Sequence, residues 1–183
     1  MQYFIEINID RKKELKPNIL LNNIYTSLHH RLYDMKCNSI GVSFPDYRVI
    51  LGTRIRIHGS LNDLKKMQSI DWLNDLKKYC DMSDIQTVPQ EVMYRTISRI
   101  QSTMSQAKMR RLIKRGTIPE EDIKNYKVEM LKKGLDNPYI ELVSASNGKI
   151  HRRYFQFGEV QHESVSGEFD FFGLSKDSTV PWF

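Results

Sequence analysis

The chain has 183 residues, 40% hydrophobic and 27% charged, which suits one compact body or two small lobes of a soluble globular protein. No run of about 18 apolar residues is present to cross a membrane; residues 1–6 lack the basic start and apolar core of a signal peptide; Cys37 and Cys80 are too far apart for a metal-ligand spacing. A reduced, cytosolic protein is expected, and a net charge of +6 with a pI near 9.2 points to a polyanionic partner.

In chain order, residues 2–10 alternate, with Tyr3, Ile5, Ile7 and Ile9 on one face, and predict a strand. Pro17 and Asn18 open a helix whose apolar stripe is Leu21, Ile24, Leu28, Leu32 and Met35. Ile40–Phe44 reads as a strand stopped by Pro45, and Arg54–His58 alternates again. Ser60 is placed to cap a helix running through Leu64, Met67, Trp72 and Leu76. Ile85–Val88 gives a last short strand. The order β-α-β-β-α-β is the ferredoxin-like arrangement, within an α+β class.

The second half opens with an alternating strand, Tyr94–Gln101. A basic helix follows from Gln106 to Arg115, which Gly116 can end. Pro119 and Glu120 suit the first turn of another helix, reaching Lys133. Tyr139–Ser144, Arg152–Phe157 and Glu168–Phe172 read as strands, and Pro181-Trp182-Phe183 as a buried closing segment. The expected division is a ferredoxin-like domain over residues 1–90 and a second lobe over 91–183, with the boundary at residues 89–93.

Charge is distributed unevenly at the local scale. Residues 94–116 hold seven Lys or Arg and no Asp or Glu. A merely solvated face mixes both signs, so this stretch reads as a nucleic-acid patch. On a helical projection Met109, Leu112 and Ile113 fall on one side, and Lys108, Arg110, Arg111, Lys114 and Arg115 cover the other. One face can pack while the other meets phosphates. A basic helix specifies neither DNA nor RNA, and a DNA-reading helix-turn-helix is the rival reading.

Of the five histidines, His29 lies at the edge of the first helix's apolar stripe, between Tyr25 and Tyr33, and His30 lies on the polar side. An edge position is partly desolvated yet reachable, which suits a general base near neutral pH. RNA carries its own nucleophile, the ribose 2′-hydroxyl, so a base and groups that hold the phosphate can cut it without a metal. The sequence offers no carboxylate pair suited to two-metal catalysis. Ser144–Gly148 is on its own residues a turn.

Three segments, Ile40-Gly41-Val42-Ser43-Phe44-Pro45, Ile55-Arg56-Ile57-His58-Gly59-Ser60, and Gly173-Leu174-Ser175-Lys176 with Val180-Pro181-Trp182-Phe183, occur in order together with Ser98-Arg99-Ile100-Gln101 and His29. This ordered set resembles the CRISPR RNA-processing endoribonuclease of subtype I-F along essentially the whole chain. The resemblance implies a ferredoxin-like domain followed by a lobe bearing an arginine-rich helix. It also implies binding of the CRISPR repeat stem-loop and a metal-independent cut at the 3′ base of the stem, leaving a 2′,3′-cyclic phosphate. No cofactor is implied. The product crRNA is expected to stay bound and to enter the type I-F surveillance complex with its other subunits.

Carried over by position, His29 matches the catalytic histidine and Ser144 the serine that orients the 2′-hydroxyl, with Ser146 and Phe172 adjacent. Arg99 and Gln101 match the pair that reads base edges near the foot of the stem. The basic helix matches the groove-inserting helix, and His151 takes the place of a further RNA contact. Apart from the resemblance, Lys149, Arg152 and Arg153 form a second basic cluster, either steering the downstream RNA strand, with Arg152 as an RNA contact, or simply solvated. Two positions depart from the pattern. Phe172 stands where a relative has tyrosine, so a hydroxyl orienting His29 must come from elsewhere. His151 replaces a phenylalanine that stacks on the terminal base pair, a role imidazole can also fill. A non-catalytic hairpin-binding subunit of the same fold is the alternative left open by Phe172.

Overall fold

The structure is a computed structural model and describes residues 1–10, 15–101, 106–132, 135–143 and 148–183. The first half follows the expected order: β1 (Tyr3–Ile9), α1 (Pro17–Asp34), β2 (Gly41–Ser43), β3 (Arg54–Gly59), α2 (Leu61–Gln68) and β4 (Cys80–Met82). The antiparallel sheet is ordered β2-β3-β1-β4, with β5 (Gln86–Thr87) on the same edge of β1 as β4. That order is the ferredoxin-like one. The last strand is therefore split. Ser83 interrupts it, its hydroxyl accepting from Glu6 N at 2.9 Å and its own N–H donating to Glu6 O at 2.8 Å, so only the Ile85–Val88 stretch carried a strand pattern.

Pro17 occupies the first turn of α1, where its missing N–H costs nothing. Leu20, Leu21, Ile24, Tyr25, Leu28 and Leu32 of α1 are buried. Ser60 caps α2 by accepting from Asp63 N at 3.1 Å. The expected continuation of α2 to Leu76 does not occur. The helix stops at Gln68, and Trp72 and Leu73 are buried from a loop. Asp71 there accepts from Asn74 N at 3.1 Å, a local side-chain bond that competes with helical pairing.

The second half builds an antiparallel sheet ordered β7-β8-β6-β9 from β6 (Met93–Ile100), β7 (Tyr139–Val143), β8 (Ile150–Phe157) and β9 (Thr179–Trp182). β6 pairs with β9 along Met93–Thr96 and with β8 along Ile97–Ile100. Between β6 and β7 lie α3 (Gln106–Lys114) and α4 (Ile123–Lys132). Gly116, at φ 68°, closes α3 as expected, with Thr117 N donating to Leu112 O at 3.0 Å. The strand expected at Glu168–Phe172 is instead a turn. Asp170 Oδ1 accepts from Phe172 N at 2.9 Å and Leu174 N at 3.0 Å, and Gly173 has φ 70°. A Cβ at Gly173 would lie 2.4 Å from Val42 Cγ2, so glycine is required by both conformation and space.

The two sheets share one core. Phe155 of β8 packs edge-on against Tyr25 of α1 (5.7 Å between centroids) and Phe44 (5.2 Å). Ile97, Ile140, Leu174 and Val180 join the same cluster as Ile5, Ile7 and Leu28. Cys37 and Cys80 are free and buried. No helix among the described residues is long and apolar enough to cross a membrane.

His58 is fully buried on the face of β3 opposite Ile55 and Ile57, beside Phe4 and Phe183, its Nε2 2.8 Å from Ser43 Oγ. Burial, reinforced by nearby Arg56, pushes its pKa down to about 3, against roughly 6.5 for a free imidazole. The unfolded chain takes up the proton first, so stability falls as pH drops below about 6.5 and levels off near the folded value. Between pH 6.5 and 5 most carboxylates stay ionised. Urea unfolding across that window should lose about 1 kcal/mol per pH unit in the parent, and His58→Leu should flatten the slope. An equal slope in both proteins contradicts the assignment.

Candidate active site

His29 sits on α1, one residue beyond buried Leu28, and is half-buried, while His30 is exposed. Its Nδ1 lies 2.8 Å from Phe171 O. A carbonyl oxygen only accepts, so Nδ1 carries the proton, and in the neutral ring Nε2 keeps its lone pair. The imidazole lies flat on Phe172, with centroids 3.5 Å apart and planes at 10°. Burial pushes the His29 pKa below the usual range; the bond to Phe171 opposes that shift, and His30 and Arg153 add to it. The ring is thus neutral at pH 7, oriented by a main-chain carbonyl rather than a hydroxyl.

The turn that supplies Phe171 and Phe172 is fastened to the first half. Tyr25 Oη donates to Phe172 O at 2.6 Å. Val42 N donates to Gly173 O at 3.0 Å, and Phe169 N to Asn38 O at 2.9 Å. Tyr25 is fully buried and acts as an anchor. Tyr33 is exposed and meets Phe171 edge-on at 5.4 Å.

Strand alternation assigns the remaining residues. Directly paired residues of an antiparallel sheet share a face. Arg99 pairs with Phe155, Ile140 with Arg153 and Leu142 with His151, so Arg99, Arg153 and His151 lie on the face that carries core residue Phe155. Arg99 and Gln101 are both exposed; with the Gln101 amide turned to accept, its oxygen is 3.1 Å from Arg99 Nε. Arg152 points to the opposite face, ion-paired with Glu141 at 3.1 Å and 4.4 Å from the Tyr139 ring centroid. Ser144 and Ser146 lie outside the described residues. On α3, Met109 is buried, Leu112 and Ile113 are half-buried, and Lys108, Arg110, Arg111 and Lys114 are exposed, as is Arg115 just past its end. Among the described residues no three His, Cys, Asp or Glu side chains converge to hold a metal ion.

Two features of the site escaped the sequence reading. The Phe171 carbonyl has no sequence signal, because a main-chain acceptor belongs to every residue. Arg153 was read only as one of a basic cluster; period-two alternation, which puts it on the same face as Phe155 and apart from its neighbour Arg152, was the signal for its place in the site.

A family model described as CRISPR-associated protein (Cas_Csy4) matches residues 4–183. The chain belongs to the Csy4 family of CRISPR-associated proteins. It is similar over its full length, and theirs, to two proteins called CRISPR-associated endonuclease Cas6/Csy4. One is from Escherichia coli (strain UTI89 / UPEC), 32% identical over 184 residues; the other is from Pseudomonas aeruginosa (strain UCBPP-PA14), 33% identical over 187 residues. The subtype I-F resemblance read from the ordered motifs and the Csy4 match agree.

Proposed function

We propose that this Csy4-family chain is an endoribonuclease that binds the CRISPR repeat stem-loop in precursor CRISPR RNA and cuts at the 3′ base of the stem without a metal. The observation that carries the reading is the His29 tautomer: Nδ1–H is held by Phe171 O, so Nε2 is the proton acceptor. Nε2 takes the proton from a ribose 2′-hydroxyl. The 2′-oxygen attacks the adjacent phosphorus, the downstream 5′-oxygen leaves and is protonated, and a 2′,3′-cyclic phosphate remains. Ser144 orients the 2′-hydroxyl, with Ser146 beside it. Arg99 and Gln101 read base edges at the foot of the stem, His151 stacks on its last pair, and Arg152 and the basic face of α3 hold phosphates.

In this reading residues 1–90 carry the base and residues 91–183 the hairpin-binding surface. The product crRNA stays bound and enters the surveillance complex with its other subunits, in the cytoplasm. The endonuclease name shared by both relatives supports the activity. The alternative of an inactive hairpin-binding subunit drew on the hydroxyl absent from Phe172. The bond to Phe171 O weakens it, since orientation of His29 does not depend on that hydroxyl. The test is cleavage of a repeat hairpin in excess EDTA, with the product ends analysed. A cut at the stem base with a cyclic phosphate is expected; tight binding without cutting favours the inactive subunit.

A further inference from the structure

Arg153 lies 3.4 Å from the centroid of the Phe172 ring, and His29 lies 3.5 Å from the same centroid. Two groups this close cannot share one face of a phenyl ring, so Phe172 is sandwiched, with imidazole on one side and guanidinium on the other. The Arg153 side chain is only 12% exposed. Its Nε is buried without a hydrogen-bond partner among the described residues, and its acidic neighbour Asp170 is 3.9 Å from Nη1 and 45% exposed. A buried guanidinium with a loose ion pair and an unused N–H is costly to keep. Nothing in the hairpin-binding roles accounts for it, because a buried Nε is out of reach of a phosphate.

We propose that Arg153 is a positioning residue for His29: it clamps Phe172 from the far side and, as a fixed cation behind that ring, favours the neutral imidazole. This rests on His29 being the base. The groups acting on His29 are His30 and Tyr33 on its own helix, Arg153 on β8, and Asp170 with the Phe171 carbonyl on the turn. Arg153 and His30 disfavour the imidazolium, whereas Asp170 and the carbonyl favour it. A guanidinium roughly 7 Å from the imidazole shifts the protonation balance by about threefold, roughly half a pH unit, when water screens the pair almost fully, and by more in less solvated surroundings.

The experiment is an NMR titration of the His29 ring in the RNA-free protein, assigned with His29→Ala, alongside single-turnover cleavage across pH. Arg153→Leu keeps an apolar side chain there and removes the charge; the His29 midpoint should rise by at least about half a unit, and the acid limb of the rate profile should move with it. Arg153→Lys should keep the midpoint close to the parent's. Arg153→Met, a longer uncharged side chain, should raise the midpoint in the same way, which gives a second reading if Arg153→Leu fails to fold. A midpoint unmoved in Arg153→Leu or Arg153→Met, even with slower cleavage, overturns the proposal. A midpoint that moves while the rate limb does not upholds the link to His29 and overturns His29 as the base.

Discussion

His29→Ala should slow hairpin cleavage by about 10²–10⁴-fold, the usual contribution of a positioned general base, while hairpin affinity changes by less than about threefold, under 1 kcal/mol. The separation follows from where the residue sits. His29 is half-buried at the edge of the α1 stripe, and the packing of that helix rests on Leu20, Ile24, Tyr25, Leu28 and Leu32. Removing the imidazole frees one face of Phe172 and the Phe171 carbonyl but leaves Tyr25, Val42 and Asn38 fastening the turn. The basic face of α3 belongs to another element. Single-turnover rates and equilibrium binding on the same RNA measure the two quantities. Equal loss of both makes His29 a binding residue; loss of neither removes it from the site.

Replacing Arg110, Arg111, Lys114 and Arg115 together by alanine should have the opposite signature. All four are exposed, three on α3 and Arg115 just past its end; the apolar side of the helix, Met109 with Leu112 and Ile113, is the side that packs, so the helix should persist. If they neutralise several phosphates, affinity should fall by about 10–1,000-fold at moderate salt, and the slope of log K against log salt should flatten by about 0.7–0.9 for each phosphate that is no longer neutralised. Cleavage at saturating protein should be far less affected than binding. A weakened complex with an unchanged salt slope would mean that the helix does not meet the phosphates.

The sequence was most legible where one period governed a whole element. β1 and β3 declared themselves by alternation, α1 and α3 by their apolar stripes, and the strand order followed from β-α-β-β-α-β. It was least legible where tertiary contacts override local pattern. Trp72 is buried from a loop because Asp71 closes a local turn. The last strand of the first sheet is cut by Ser83. Glu168–Phe172 looks like a strand but leads into a turn, because Asp170 collects two N–H groups and Gly173 turns left-handed against Val42. β9 is hidden by its brevity and by Pro181, which pairs with Tyr94 at the sheet edge. At the site, the edge position of His29 was readable from helical spacing alone. Its partner was not: the 2.8 Å bond runs to a main-chain oxygen 142 residues away. Arg153 was visible as one of a basic cluster, but its place behind Phe172 depends on the packing of β8 against the turn.

The decisive measurement uses two versions of one repeat hairpin in excess EDTA, one all-ribose and one with a single 2′-deoxy nucleotide immediately upstream of the cut. If His29 acts on the 2′-hydroxyl, only the all-ribose RNA is cleaved, and both are bound alike. Cleavage of both at the same bond would show that the 2′-oxygen is not the nucleophile and that His29 has no proton there to take.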